Sequence, residues 1–356
     1  MIFIYLGGFI YSLEKFKNKL TYKKLKILKL ILEGKSILDW DRMYFETKQD
    51  VLDYLLVNEF NINLENDRKR LDFVYKNSVD YLKDIYQIDV PEYFSNKSII
   101  DVFLLASKPE AGRDFSVALA LLKVMNIINH VDSQELISKL SMESKVIVDK
   151  VKKKVLKHVK FMQNSDMFPD FTFEWSVKTR ESIISKFLTK KQGFQARIFD
   201  RVRFRVVTEN KQDILPILYH LFGKLFSVNN LIPNEIKNTL ITINDGFDIN
   251  DLNSLIVEKK DGKKDNQFSG ETYRVLNFII DIPVRVDDIM ILPDDELFAN
   301  HAYVLYILTE VQILDKVTAK NNEKGENSHD LYKERQKKAI LKRLNNTLYE
   351  EKYGNQ

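Results

Sequence analysis

The chain has 356 residues, a length that predicts two domains. Hydrophobic residues make up 44% and charged residues 30%, a balance typical of a folded protein, which argues against wholesale disorder. The absence of cysteine excludes disulfides, thiolate metal sites and cysteine nucleophiles. Residues 1–13 are apolar but shorter than the ~20 residues of a membrane span, so we interpret them as a core-packing or non-native extension. A membrane anchor is the weaker alternative, because three lysines follow directly (Lys15, Lys17 and Lys19).

The amino-terminal half is predicted to be all-α, because its apolar residues are spaced helically from about residue 20 to residue 162. One apolar stripe contains Phe115, Leu119, Leu122 and Met125. A second contains Ile147, Val151, Val155, Val159 and Met162, opposite lysines 152, 153, 154, 157 and 160. We interpret these lysines as a solvated outer face, with nucleic-acid binding as the alternative. His130, Asp132 and His158 are interpreted as helix-end or surface residues.

The pattern changes after residue 163, where Pro169 interrupts the helical spacing and Phe171, Phe173 and Trp175 alternate with polar neighbours. This change predicts a helical domain of unknown role over residues 1–165 and a second domain over residues 166–356.

The second domain is predicted to be α+β, with a mixed β-sheet flanked by helices. Residues 201–207 alternate strictly between apolar residues and arginines, which predicts a half-buried strand with a cationic face. A helical run follows over residues 214–225, then strand-like runs over residues 273–284 and 303–314. A final helix is predicted to start near Ser328.

Positive charge is concentrated in one segment. Residues 178–205 contain nine basic and two acidic residues, a net charge of +7, whereas the whole chain carries only +4. A focused positive field is typical of a site that receives a polyanion. A solvated basic face is the alternative interpretation.

Two carboxylates stand out by position. Asp200 opens the arginine-faced strand, and Glu310 lies in the apolar run YVLYILTEVQIL, where a charge without a partner is costly. Mg²⁺ prefers oxygen ligands from one or two carboxylates, completed by substrate phosphates and water. The pattern therefore indicates a site for phosphoryl or pyrophosphoryl transfer. A solvent-facing Glu310 is the alternative.

These residues resemble the synthetase domain of RelA/SpoT enzymes, which transfer pyrophosphate from ATP to the 3′-hydroxyl of GDP or GTP. KTRESIISK, with Lys178, Ser182 and Lys186, resembles the family's basic stretch that contacts the ATP phosphates. DRVRFRVV resembles its magnesium-binding strand, and TYRVLN resembles the motif whose tyrosine stacks on the acceptor guanine. EVQI resembles the strand that carries the second catalytic carboxylate.

The most specific likeness is EKGENSHDLYK, which reproduces the family spacing E-x-G-x-x-x-H-x-x-Y-K. The resemblance covers roughly residues 174–340, with all motifs in the family's order. Four positions depart from the family pattern: Ser176 stands in place of an arginine, Arg203 in place of a small residue, Thr272 in place of a glycine, and Asn277 in place of a histidine.

The resemblance implies a Mg²⁺-dependent cytoplasmic bacterial enzyme that uses ATP and a guanine or other nucleotide, with tRNA as a further possible acceptor. Asp200 and Glu310 are the implied catalytic and metal-binding residues. The implied nucleotide-binding residues are Lys178, Ser182, Lys186, Arg205, Tyr273, Gln312, His329 and Lys333. His329 has an equal alternative as a buried histidine bonded to the backbone. Two other functions stay open: a catalytically reduced nucleotide sensor, and an RNA-binding module that uses the arginine strand.

Overall fold

The computed structural model describes residues 22–35, 37–139, 144–165, 168–189, 202–244, 256–258, 268–287 and 303–354. Two features of the sequence analysis, the apolar residues 1–13 and the carboxylate Asp200, lie outside the described residues. The side chain of Lys186 is likewise not described.

The amino-terminal half is helical, as predicted. In the described residues before position 171 the structure contains α-helices and short 3₁₀ turns and no strand. The α-helices are α1 (Tyr22–Leu32), α2 (Lys48–Val57), α3 (Glu65–Tyr86), α4 (Ile99–Leu105), α5 (Arg113–Lys139) and α6 (Ser144–Gln163). Local chemistry defines their starts: Thr47 and Asp50 form a reciprocal capping box at α2, and Ser98 accepts the Asp101 backbone N–H at α4.

The second half is α+β, which confirms the predicted fold class. Its strands are β1 (Phe171–Val177), β2 (Val202–Thr208), β3 (Leu231–Asn238), β4 (Ile241–Ile243), β5 (Ile256–Glu258), β6 (Leu276–Arg285) and β7 (Val304–Asp315). Its α-helices are α7 (Arg180–Thr189), α8 (Ile214–His220), α9 (Lys316–Asn322), α10 (His329–Leu344) and α11 (Asn346–Tyr353). The last long helix starts where predicted, because the Ser328 side chain accepts the Leu331 backbone N–H.

Five strands form one mixed sheet in the order β1-β2-β7-β6-β3. β2 and β7 run parallel, and the other neighbouring pairs run antiparallel. The alternation predicted for β2 is present, since Val202, Phe204 and Val206 are buried and the intervening side chains are less so. One face of the sheet is therefore apolar, and part of the other is polar.

Helices from the amino-terminal half cover the apolar face. Leu28 of α1 and Val155 of α6 belong to the same hydrophobic cluster as Ile217 of α8 and Phe278 and Val311 of the sheet. The predicted α6 stripe is confirmed, because Val151, Val155, Val159 and Met162 are all buried. The core thus crosses the predicted domain boundary, and the division at residue 165 stays a prediction.

The opposite face of the sheet is covered in part by α5. Val304 and Tyr306 of β7 join the cluster formed by the amino-terminal helices, and Ser133 Oγ accepts the Tyr306 backbone N–H at 2.8 Å. His130 Nδ1 lies 3.0 Å from Asp281 Oδ2 of β6, and Asp132 pairs with Arg70 at 2.6 Å. The prediction of helix-end or surface positions for His130 and Asp132 was wrong: both lie within α5 and contact neighbouring elements.

One lysine of α6 departs from the predicted solvated face. The Lys154 ammonium lies 2.6 Å from Glu59 Oε1 and donates to the Pro283 carbonyl of β6 at 2.7 Å. Burial lowers the pKa of Lys154, and the Glu59 carboxylate opposes that shift. Lys154 therefore links the helical half to the sheet.

Within the described residues, the segment Arg113–Ile137 of α5 is long and apolar enough to cross a membrane by length and composition alone. The core helix of a globular protein passes the same test. Val117, Ala118, Leu121, Leu122 and Met125 of this helix are buried against other parts of the chain.

Candidate functional site

The polar part of this second sheet face begins at Glu310, four residues after Tyr306 along β7. Glu310 and Gln312 of β7 alternate with buried Val311 and Ile313, so their side chains share the face opposite the core. The strand register sets Arg203 of β2 beside Glu310, and it sets Arg205 beside Gln312. On the other side, β6 places Asn277 beside Gln312. Three strands therefore bring two carboxamides, two guanidinium groups and one carboxylate together.

Glu310 is the centre of this cluster and is only 5% exposed. Its Oε2 lies 2.6 Å from the Lys178 ammonium and accepts from Arg203 Nη2 at 3.0 Å. Its Oε1 accepts from Asn277 Nδ2 at 3.2 Å and from Gln312 Nε2 at 3.1 Å. The alternative of a solvent-facing Glu310 is therefore wrong.

These contacts keep the Glu310 carboxylate ionised. Burial by itself would raise its pKa, but Arg203 and Lys178 outweigh burial and lower the pKa to about 2. A buried carboxylate needs paired charges and hydrogen bonds to remain ionised, and the four partners of Glu310 supply both.

Further positive charge surrounds the carboxylate. Lys178 follows β1 directly, and Lys333 lies on α10. The pKa of Lys333 is lowered first by burial and then by the charges of Arg203, Lys337 and Lys178. Lys333 is thus close enough to Arg203 and Lys178 for their positive charges to repel it. Among the described residues, the site therefore carries more positive than negative charge.

Arg205 lies next to this cluster on the same face of β2. Its Nη1 is 3.7 Å from Glu174 Oε2 of β1, a carboxylate whose side chain is 62% exposed. Its Nε is buried and has no hydrogen-bond partner within the part of the chain that the structure describes. The same holds for the Asn277 Oδ1 atom. Both of these atoms are buried polar groups that a ligand can satisfy.

The loop that carries Tyr273 packs against the loop that precedes α10, which joins two of the sequence motifs. Asn327 Nδ2 donates to Thr272 Oγ1 at 2.8 Å, and Arg335 donates to the carbonyls of Phe268 and Glu326 at 2.8 and 2.7 Å. Gly270 lies in the tightest part of this contact, because an added Cβ would lie 2.1 Å from Asn327 Oδ1.

Three further predicted residues lie on other segments of the second half. Tyr273 is half-buried and donates its backbone N–H to the Gly270 carbonyl at 3.3 Å. Ser182 lies in the first turn of α7, where its backbone N–H donates to Thr179 Oγ1 at 3.3 Å. His329 is exposed and stacks parallel to Tyr332 with ring centroids 6.3 Å apart. The alternative of a buried His329 is therefore wrong.

Sequence reasoning did not predict the amide partners of Glu310. Asn277 was noted only as a departure from the family histidine, and Gln312 was assigned to nucleotide; both amides donate to Glu310 Oε1. Arg203, noted as a bulky replacement, pairs with the catalytic candidate. The alternation of β6 and β7 was the available signal, because it placed these amides on the polar face, but it did not reveal the register.

No protein-family model and no curated protein match the chain. Several solved structures are similar. Small alarmone synthetase 2 from Bacillus subtilis is 19% identical over 59% of this chain and 95% of that chain, with a TM-score of 0.30. Small alarmone synthetase 1 from the same organism, bound to its product pppGpp, is 13% identical over 64% and 94%, with a TM-score of 0.28. A GTP pyrophosphokinase family protein from Streptococcus pneumoniae is 13% identical over 60% and 92%, with a TM-score of 0.29.

These neighbours are alarmone synthetases and a GTP pyrophosphokinase family protein, the kind of protein that the sequence motifs resemble. At this level of superposition and identity they carry no argument about the chemistry of this chain.

Proposed function

We propose that the chain transfers a pyrophosphoryl group from ATP to a hydroxyl group of a second nucleotide, with a guanine nucleotide as the first candidate acceptor. One observation carries the proposal: Glu310 is buried, ionised and directly paired with Lys178 and Arg203 on a sheet face that has an excess of cations. A fold has little structural reason to collect such charges on one face, because each must be desolvated.

The excess positive charge suits a polyphosphate. Glu310 offsets only part of the charge of Lys178, Arg203 and Lys333, and Arg205 adds a buried donor with no partner among the described residues. Phosphate oxygens that enter the site would accept hydrogen bonds from these groups and neutralise them. Positioning and neutralisation of phosphates are the main contributions that a protein makes to this type of transfer.

In the proposed reaction the acceptor hydroxyl oxygen attacks the β-phosphorus of ATP. The bond between this phosphorus and the oxygen that bridges to the α-phosphorus breaks, and AMP leaves with the bonding electron pair. The acceptor becomes a pyrophosphate ester and loses its hydroxyl proton.

Glu310 is the residue placed to receive or direct that proton. With a pKa of about 2 it is a weak base while Lys178 and Arg203 remain bound to it. Bound phosphates compete for the same two cations, and loss of these partners raises the pKa of the carboxylate. Polyphosphate binding would in this way release the Glu310 carboxylate from its two cations. The carboxylate could then accept a hydrogen bond from the acceptor hydroxyl.

The residues fit a Mg²⁺ ion in part. Glu310 supplies one carboxylate and Asn277 Oδ1 one neutral oxygen, both typical ligand types for magnesium. The described residues contain no group of three or more histidine, aspartate or glutamate side chains that could hold a metal. Asp200, which the resemblance assigns as the second carboxylate, lies outside the described residues. A bound Mg²⁺ would neutralise phosphate charge in the transition state.

The test is to incubate the purified protein with Mg²⁺, γ-labelled ATP and, separately, GDP, GTP, AMP, ADP and bulk tRNA. We expect label on one of these acceptors, loss of at least a hundredfold in rate with Glu310→Gln, and no transfer without Mg²⁺. Glu209→Gln is the matched control, because this exposed glutamate pairs with Lys316 at 2.7 Å and lies just beyond β2. Transfer by Glu310→Gln at the wild-type rate would show that the assignment is wrong.

A catalytically reduced nucleotide sensor is the second candidate. The Arg203 guanidinium, in a position where the family has a small residue, occupies one oxygen of the Glu310 carboxylate. If Arg203 keeps this contact when nucleotide binds, Glu310 cannot reach the acceptor. Nucleotide binding without labelled product, in protein that retains its fold, would favour the sensor. RNA binding that needs no Mg²⁺ and weakens strongly with salt would favour the RNA-binding alternative.

A further inference from the structure

A second site lies on the other side of the sheet. A cavity of about 1170 Å³ opens between α1, α2, α6, α8 and the turn over residues 221–229. It lies on the apolar face, where α8 packs, whereas Glu310 belongs to the polar face. None of the residues that line it belongs to the candidate nucleotide site.

The walls of this cavity are rich in aromatic side chains. Tyr44, Phe45, Tyr54, Phe161, Phe168 and Phe222 line it, in company with aliphatic residues of α1. Such a composition is typical of a site for a small organic molecule, in which a few polar groups fix the orientation. The cavity is much larger than a single side chain, so it accommodates a molecule of at least two fused rings.

Two buried polar atoms on the lining residues have no hydrogen-bond partner in the described part of the chain. The first is Nε1 of Trp40, an indole N–H donor on a side chain that is only 5% exposed. The second is Nε2 of His220, whose ring stacks on Phe161 at 5.7 Å and meets Phe168 edge to face at 4.8 Å. A buried polar atom without a partner costs free energy that a ligand can recover.

The charges around the cavity disfavour a polyanion. Three acidic residues line it (Glu46, Asp50 and Asp53) against two lysines (Lys157 and Lys224), and Asp53 and Lys224 lie 3.3 Å apart. Burial, with the charges of His158 and Lys224, lowers the pKa of His220 to about 4, so this imidazole is neutral near pH 7. A nucleotide polyphosphate therefore finds no excess of cations here.

We propose that this cavity binds an uncharged, flat heteroaromatic molecule with a carbonyl or ring-nitrogen acceptor for Trp40 Nε1 and a ring N–H donor for His220 Nε2. The aromatic walls select the flat shape, the two polar atoms select the acceptor and donor, and a rim without an excess of cations disfavours an anion. Because α1 and α2 form part of the wall, the ligand contacts the helical half and the sheet-bearing half together.

The test uses a matched pair of probes. 4-Quinolone has a carbonyl acceptor and a ring N–H donor, and naphthalene has the same two-ring shape with neither. The full-length chain, labelled with ¹⁵N-tryptophan, has two indole N–H resonances, from Trp40 and Trp175. The variant Trp175→Phe identifies the Trp40 resonance and is also the matched control, since Trp175 lies on β1 and does not line the cavity.

We expect 4-quinolone to shift the Trp40 resonance downfield with saturation and to bind at least about fivefold more tightly than naphthalene, as a net hydrogen bond predicts. Trp40→Phe should reduce this preference, because only the contact with His220 Nε2 is then left, and should leave naphthalene binding unchanged. Gly223→Leu should weaken both probes at least tenfold, because Gly223 lines the cavity and an added Cβ there meets no atom within 4 Å. Circular dichroism and the thermal midpoint verify that each variant folds.

Three outcomes overturn the proposal: no saturable shift with either probe, equal affinities for both probes, or affinities that Gly223→Leu leaves unchanged. Glu310→Gln should leave 4-quinolone binding unaltered, so the result is independent of the proposed transferase activity.

Discussion

The ionised state of Glu310 predicts a pH dependence of stability that belongs to this one residue. The perturbation is Glu310→Gln, which keeps the shape and removes the charge. Lowering the pKa from an ordinary 4.5 to about 2, at ~1.36 kcal/mol per pH unit, contributes about 3 kcal/mol to the free energy of unfolding at neutral pH. Since the pKa is depressed in the folded state, this contribution is complete above pH 4.5 and is lost as the pH falls toward 2. About 2 kcal/mol of it is lost by pH 3.

Urea unfolding, followed by circular dichroism at several pH values between 7 and 3, measures this contribution. At pH 7 we expect Glu310→Gln to be less stable than the wild type, because Lys178 and Arg203 lose their carboxylate partner. The difference in free energy of unfolding between the two proteins should narrow by about 2 kcal/mol at pH 3, where the wild type also loses the charge. Other carboxylates titrate in both proteins and cancel in the difference.

The control Glu209→Gln changes an exposed residue. Its free energy of unfolding should differ little from that of the wild type, and the difference should hardly vary between pH 7 and pH 3. A gap between the wild type and Glu310→Gln that stays constant from pH 7 to pH 3 would refute the reasoning. It would mean that the surrounding cations do not hold Glu310 ionised, and the account of the site would lose its central residue.

Further predictions concern the links between the two halves and the motif loops. Lys154→Met should lower the free energy of unfolding by about 2 kcal/mol in urea titrations, because it leaves Glu59 and the Pro283 carbonyl without their donor, whereas exposed Lys152→Met should change it by less than about 0.5 kcal/mol. Gly270→Ala should cost about 1–3 kcal/mol, because the new Cβ meets Asn327 and the backbone of Glu326; a cost as small as that of Gly223→Ala would contradict the close approach. Raising NaCl from 0.05 to 0.5 M should weaken ATP binding severalfold in calorimetry, since the cations of the site attract phosphates; no change with salt would argue against them.

The sequence alone determined the local structure with good accuracy. Strict alternation from position 202 onward defined β2, because successive side chains of a strand point to opposite faces. Ser328 marked the start of α10, because its side chain satisfies a backbone N–H that the first turn leaves unpaired. The apolar run around Glu310 identified a buried strand and a carboxylate in need of partners. Each of these inferences depends on residues a few positions apart.

Only the tertiary structure decided what surrounds Glu310. Arg203 lies 107 positions away in the chain and Asn277 lies 33, and both reach the carboxylate through the pairing register of β7 with β2 and β6. Alternation shows which face a side chain occupies, but a register depends on how whole strands pair, so it was not available from a single strand.

The same limit applies to Lys154 and to the aromatic cavity. The helical spacing of α6 placed Lys154 on the outer face with its neighbouring lysines, yet a loop residue and a strand carbonyl approach that face and bury it. Trp40, Phe161 and His220 come from three separate segments, and no local pattern connects them. Local periodicity determined the elements and their faces, whereas packing between distant elements decided which of those faces became a site, because burial is a property of the neighbours and not of the segment itself.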